Sequence, residues 1–328
     1  MKKFFYTLAL TCALTVSTTC TALANPLKVA SCMSEKMTKT ITEGFTAATQ
    51  IPVEVVYLPS GSFDEKLNFL YKKNVDCVLG PTQDEFYAAE RVNMLVPYAS
   101  EQLNNLPEDL QPRKNSWTNL WVGYVALLSN KENLNKMGIY APDTWLELLG
   151  NNFKDEIVLP EYESSIAGFS SITGIWQIKG EAMALHYAHE FNKQKIKFVK
   201  SEDDAIADVI KGKHTVTILP LHRAMKLESE NENLYASIIQ DANREIFTGV
   251  ALLRGLQQEA EAQKFVDYLL SDDCVNLLAD HNVQRWHVKF YSSDEERRRL
   301  IGNTQIAVDD LGWISMSRKD IIKRWKKA

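Results

Sequence analysis

The stretch "LPEYESSIAGF", residues 159–169, ends a β-like run and sets Ser164 and Ser165 at the doorway of an apolar helix. Hydroxyls in that position have a definite chemistry. The first amides of a helix lack internal acceptors and the helix dipole adds positive potential there, so such a doorway can hold a carboxylate or a phosphate. The same kind of doorway recurs at Ser31 to Ser34, at Ser60-Gly61-Ser62 and at Gly80-Pro81-Thr82, each time after an apolar run and before a helical pattern. Taken singly, each of these residues reads as an ordinary helix cap. Taken together, at the ends of successive strands, they read as a set able to receive one anion. His222 and Arg223 in "LPLHRA" add candidate donors, since arginine suits two-point capture of a carboxylate or phosphate; for His222 a solvated helix start is the competing reading.

Catalytic chemistry finds no comparable footing. "HYAHE" places His186, His189 and Glu190 on one helical stretch, but the spacing is neither H-E-x-x-H nor H-x-x-E-H, and an exposed amphipathic helix accounts for it. "GFSSI", Gly168 to Ile172, lacks the closing glycine of a nucleophile elbow, and no G-x-x-x-x-G-K-[ST] loop occurs. No enzyme activity, cofactor or metal is expected. Cys32, Cys77 and Cys274 show no C-x-x-C spacing and read as small apolar core residues, of which one pair at most could close.

The elements that must position the doorways follow from periodicity. "LKVAS", "VEVVYL" and "VDCVLG" are strands, separated by the amphipathic helices "EKMTKTITEGFTAAT" and "SFDEKLNFLYKK". Such a βαβαβ order implies a parallel sheet flanked by helices, with ligands beyond the carboxyl ends of the strands, where the doorways fall. After the linker "NNLPEDLQPRKNSW" the pattern restarts with the long apolar strand "LWVGYVALLSNK". It runs on through the strands "EIVLPE", "IKFVK" and "HTVTILPL", with helices between them, to a further strand in "EIFTGVALLRG".

At 328 residues the chain is long enough for two domains with a cleft between them. Lys2 and Lys3, the run "FFYTLALTCALTV" and Ala22-Leu23-Ala24 form a secretory signal, with cleavage expected after Ala24; the apolar run is shorter than the ~20 residues of a membrane span. Removing Lys2 and Lys3 takes the 37 basic residues to 35 against 42 acidic ones, a mature net charge of −7. Such an acidic exported protein lacks the basic footprint of a nucleic-acid binder. The basic ending "SRKDIIKRWKKA" reads as a solvated helix whose "IIKRW" packs back on the first lobe.

The succession "VDCVLGPTQDEFYAAERVNMLVPY", "APDTWLELLGNNFKDEIVLPEYESSIAGF", "VTILPLHRAMKL" and "TGVALLRG" resembles the periplasmic solute-binding proteins of ABC importers. The branch resembled is the one whose members bind ferric iron, thiamine, phosphonates or sugar phosphates. The likeness extends to "FVDYLLSDDCVNLLADHNVQRW" and "DLGWISMSRKDIIKRW", and so covers nearly the whole mature chain. It implies an α/β fold of two lobes, each a mainly parallel sheet flanked by helices, joined by crossover strands in "WVGYVALL" and "TGVALLRG" and closing over a solute. The first lobe would comprise residues 25–121 and 249–328 and the second residues 122–248. Ser164, Ser165 and the amides through Gly168 would take an anionic group from one side, with Ser34, Ser60, Gly61 and Thr82 meeting the solute from the other.

One departure bears on the solute. Iron-binding relatives usually carry adjacent tyrosines where this chain has Pro220-Leu221-His222, and an imidazole is a poor substitute for phenolate at Fe(III). The expectation is therefore a small phosphorylated or carboxylated organic solute, with ferric iron as the alternative. The protein would be a periplasmic monomer that delivers the solute to an ABC permease or reports it to a membrane sensor kinase.

Overall fold

The computed structural model describes residues 25–328 except 60–62, 108–109, 111, 113, 280–282 and 292–294. The signal segment, Ser60 and Gly61 lie outside the described residues. No helix among the described residues is long and apolar enough to cross a membrane.

The chain opens with β1 (Leu27–Ser31), α1 (Glu35–Thr49), β2 (Val53–Tyr57), α2 (Phe63–Lys73), β3 (Cys77–Thr82), α3 (Gln83–Arg91), β4 (Leu95–Val96) and β5 (Thr118–Gly123). It continues through β6 (Val125–Asn130), α4 (Lys131–Met137), α5 (Trp145–Leu148), β7 (Val158–Pro160), α6 (Ile166–Lys179), α7 (Glu181–Lys193), β8 (Lys197–Val199), α8 (Glu202–Ile210), β9 (Val216–Pro220), α9 (Leu221–Glu230) and β10 (Leu234–Ile238). The remainder is β11 (Asn243–Arg244), β12 (Ile246–Leu253), α10 (Glu259–Leu269), α11 (Asp272–Leu277), α12 (Val288–Tyr291), α13 (Glu295–Ile301), β13 (Ile306–Ala307) and α14 (Leu311–Lys327).

The expected βαβαβ unit is present, with β1 pairing in parallel with both β2 and β3. The first sheet has the order β2-β1-β3-β12-β4, with β5 also on β12, and β12 is antiparallel to each of its neighbours. The second sheet has the order β10-β6-β9, with β6 antiparallel to both neighbours. A parallel bridge from Ile157 to Val216 links it to the parallel pair β7-β8. Each lobe is thus mainly parallel in strand direction, around one reversed strand.

The chain leaves the first sheet at Gly123 and enters the second at Val125, and β12 brings it back. Gly249 in β12 lies at a register shift, where a Cβ would fall 2.0 Å from the carbonyl oxygen of Thr118, so only glycine permits the approach of β5.

Apolar periodicity explains the packing. Met37, Ile41 and Phe45 recur on one face of α1 and are buried under β1. This central cluster runs on through Leu120, Trp121, Val122 and Tyr124 into Ala126 and Leu128 of the second sheet, so the two lobes share a core at the crossover. The helix α14 packs on both lobes. Its Ile314, Ile321, Ile322 and Trp325 join the second lobe's cluster with Trp176 and Phe191, because Trp325 packs against Tyr162 and Phe191, while its opposite side meets α3. Cys32, Cys77 and Cys274 are free thiols, Cys77 and Cys274 being buried.

Candidate functional site

Two adjoining cavities lie between the lobes, and Ile166 lines both. The smaller, about 10 Å³, is the more polar of the two and brings Thr82 from the first lobe together with Ser164 and Ser165 from the second. The larger, about 100 Å³, is almost wholly apolar.

In the polar cavity Ser165 caps α6. Its hydroxyl accepts the Gly168 amide at 3.0 Å and donates to Glu202 at 3.2 Å. Gly168 sits close under that cap, where a Cβ would lie a tight 3.2 Å from the Cβ of Ser165. The Gly168 amide is therefore already used, and the amides left without helical acceptors at this doorway are those at its very start, Ile166 and Ala167. The first turn of α6 contains no acidic residue. Ser164 is exposed, and its hydroxyl donates to the Glu161 carbonyl.

Across the cleft α3 begins at Thr82, whose amide donates to the Glu85 carboxylate at 3.1 Å. Lys66 pairs with Glu85 at 2.8 Å, and Arg318 reaches Asp84 at 3.4 Å while its guanidinium lies 3.9 Å from the centre of the Phe169 ring. Burial favours a neutral Glu85, but Lys66 and Arg318 outweigh it and hold its carboxyl below the usual range. For Asp84 the balance reverses, because burial exceeds the pull of Arg244 and Arg318 and raises it. Glu163 is the third carboxylate of the cavity and pairs with Lys326 at 3.0 Å. Every carboxylate lining this cavity therefore has a cation of the chain against it.

The apolar cavity has Met33 and Met37 on one side, Ile166 and His222 on the other, and Trp121, Tyr124 and Trp286 among its remaining walls. His222 is held neutral, its imidazole lowered to about 4 by burial and by the neighbouring Arg223. The Tyr124 hydroxyl donates to Glu245 at 2.7 Å. The indole nitrogens of Trp121 and Trp286 are buried and have no hydrogen-bond partner among the described residues.

Of the residues singled out in the sequence, Thr82, Ser164 and Ser165 share the polar cavity, and His222 reaches the apolar one. Ser34 caps α1 by accepting the Met37 amide and lines neither cavity. Arg223 also lines neither. Its guanidinium pairs with Glu202 at 2.7 Å and with Asp203, so the fork assigned to a solute is engaged by α8, and through Glu202 it braces the Ser165 cap. Lys66, Arg318 and the aromatic walls were not legible: they come from elements up to 252 residues apart, and no local motif marks them. Among the described residues no group of three or more His, Cys, Asp or Glu is placed to hold a metal ion.

Residues 79–306 match the model of the bacterial extracellular solute-binding proteins, and the chain belongs to that family. The fold is shared with the periplasmic binding protein AfuA of Actinobacillus pleuropneumoniae, solved with fructose-6-phosphate. That likeness has a TM-score of 0.77 and 19% identity over 92% of this chain and 98% of that one. The ferric binding protein of Campylobacter jejuni is similar at a TM-score of 0.74 and 17% identity, covering 92% and 98%. A two-component system protein of signal transduction is similar at 0.72 and 16%, covering 88% and 95%. No curated protein matches the chain.

Proposed function

We propose that this member of the bacterial extracellular solute-binding proteins captures one small anionic organic solute, phosphorylated or carboxylated, in the interlobe cleft and delivers it to an ABC permease. One observation carries the reading. The acid-free start of α6, capped by Ser165, opens on the same cavity as Lys66 and Arg318. An anion there gains the dipole and the first amides of α6 from the second lobe and meets Thr82 from the first, beside a Lys66 that is already paired with Glu85. Because it touches both lobes, it binds their closed arrangement better than an open one and draws the equilibrium toward closure. Closure is the signal that a permease reads.

The mature protein is the monomer left after cleavage at Ala24. Its first lobe is built from residues 25–121 and β12 onward, with α14 assigned to the second lobe on the strength of its packing. AfuA, solved with fructose-6-phosphate, supports an organic phosphate as solute. The similarity to a two-component system protein supports a second role for the same capture step, presentation of the closed form to a membrane sensor kinase.

The test is thermal unfolding of residues 25–328 in phosphate-free buffer with sugar phosphates, phosphoglycerates, phosphonates, carboxylates, thiamine and ferric citrate. A solute at ~1,000 times its Kd adds about 4 kcal/mol and raises the midpoint by several degrees. A shift with an organic anion is expected. A shift with ferric citrate alone would overturn the reading in favour of iron.

A further inference from the structure

We propose that the non-ionic part of the solute is an aromatic or heteroaromatic ring, seated in the apolar chamber behind the polar cavity, so that the ligand class is an aryl carboxylate or aryl phosphate rather than a polyol phosphate. The inference rests on the anionic reading above and extends it from the head group to the body of the ligand. Ile166 lines both the chamber and the polar cavity, so a ring in the first lies one residue away from a head group in the second. Its volume, about 100 Å³, is on the scale of a cavity that takes a single small ring.

The walls decide what fits. Trp121, Tyr124 and Trp286 present aromatic surface, and Met33 and Met37 present polarisable thioethers, which favour an aryl ring by edge and sulfur contacts. A sugar phosphate would bring several hydroxyls into this space, each needing a partner to offset its lost hydration. The walls supply few. The Tyr124 hydroxyl is occupied by Glu245 and His222 contributes a single neutral imidazole. The two indole N–H groups of the wall, on Trp121 and Trp286, are buried without acceptors among the described residues. Neither nitrogen exposes surface, so the two residues offer the chamber ring faces and edges rather than donors.

The experiment is titration of intrinsic tryptophan fluorescence, with calorimetry in parallel, using probes paired by charge. Phenyl phosphate and pyridine carboxylates are compared with glucose 6-phosphate and 3-phosphoglycerate, and benzyl alcohol serves as a neutral ring. The expected result is at least tenfold tighter binding of the aryl anions, with a fluorescence change, and a tenfold loss for them alone in Met33→Ser. Equal or tighter binding of the polyol phosphates overturns the chamber assignment and leaves the anionic head group standing. Benzyl alcohol binding as tightly as phenyl phosphate supports the chamber and overturns the anionic reading instead. Failure of every aryl anion at millimolar concentration overturns the proposal.

Discussion

Helix α3 begins at Thr82 with Asp84 and Glu85 in its first turn, whereas α6 begins at Ser165 with no acid at all. Both open on one cleft from opposite lobes, and both starts are occupied by a hydroxyl residue. Around α3 the charges are tied down. Glu85 holds Lys66, Asp84 faces Arg318 and Arg244, and the Gln83 amide donates to Asp309 at 2.6 Å. Asp309 in turn takes the fully buried Arg244 at 2.7 Å, and Arg244 donates to Thr173 of α6 at 2.8 Å. Around α6 the cap is braced from behind by Glu202 and Arg223, and the rest of the first turn is apolar. The difference teaches that a capped helix start is not by itself a binding feature: at α3 its positive potential is met by acids of its own first turn, whereas at α6 the carboxylate on the cap, Glu202, comes from another helix and is paired with Arg223.

The comparison breaks most severely at Arg244. Arg244→Met strands Asp309 and weakens the α3 anchor, and should cost about 3–5 kcal/mol in denaturant unfolding. Pairing it with Asp309→Leu should recover most of that loss, and a single-variant cost near zero would show that α3 is not anchored as described.

A carboxylate placed in the open doorway makes α6 resemble α3. Ile166→Asp should weaken the best anionic binder of the thermal panel by about 30-fold, roughly 2 kcal/mol, with an unchanged melting midpoint because an acid suits a helix start. Unaltered affinity would move the head group away from α6.

Removing the cap is a milder change. Ser165→Ala should cost about 1 kcal/mol of stability, and combined with Ser60→Ala it should lower affinity about tenfold. Thr82→Ala, on the occupied side, should alter affinity less than Ser165→Ala, and the reverse order would invert the comparison.

The smallest effect is on pH. His222 and His287 are both held neutral down to about 4, chiefly by burial. The unfolded chain takes up protons near the ordinary histidine pKa of about 6.5, so stability is full above that value and is lost as pH falls toward 4. His222→Gln should flatten part of this acid limb in midpoint-versus-pH curves, and an identical limb would place His222 in solvent.

Much of the fold was legible because its signals are local. Alternating apolar runs specify β1 to β3, the spacing of Met37, Ile41 and Phe45 specifies α1, and the Ser34 and Ser165 caps stand where the sequence puts them. The reversed strands β6 and β12 could not be read, since strand direction depends on partners far along the chain. Of the candidate site, Thr82, Ser164, Ser165 and His222 reach the cleft, while Arg223 is engaged by Glu202 and Asp203.

By itself, then, the sequence determined the α/β alternation and the helix doorways, because periodicity and capping act within a few residues, while the crossover strands came from its resemblance to the solute-binding proteins. Only the tertiary structure decided which charged groups meet each doorway. Glu85 is met by Lys66 from 19 residues away, Asp84 by Arg318 from 234 away, and the apolar chamber joins Met33 to Trp286. Charge pairing and burial depend on distance in space, which no local pattern encodes.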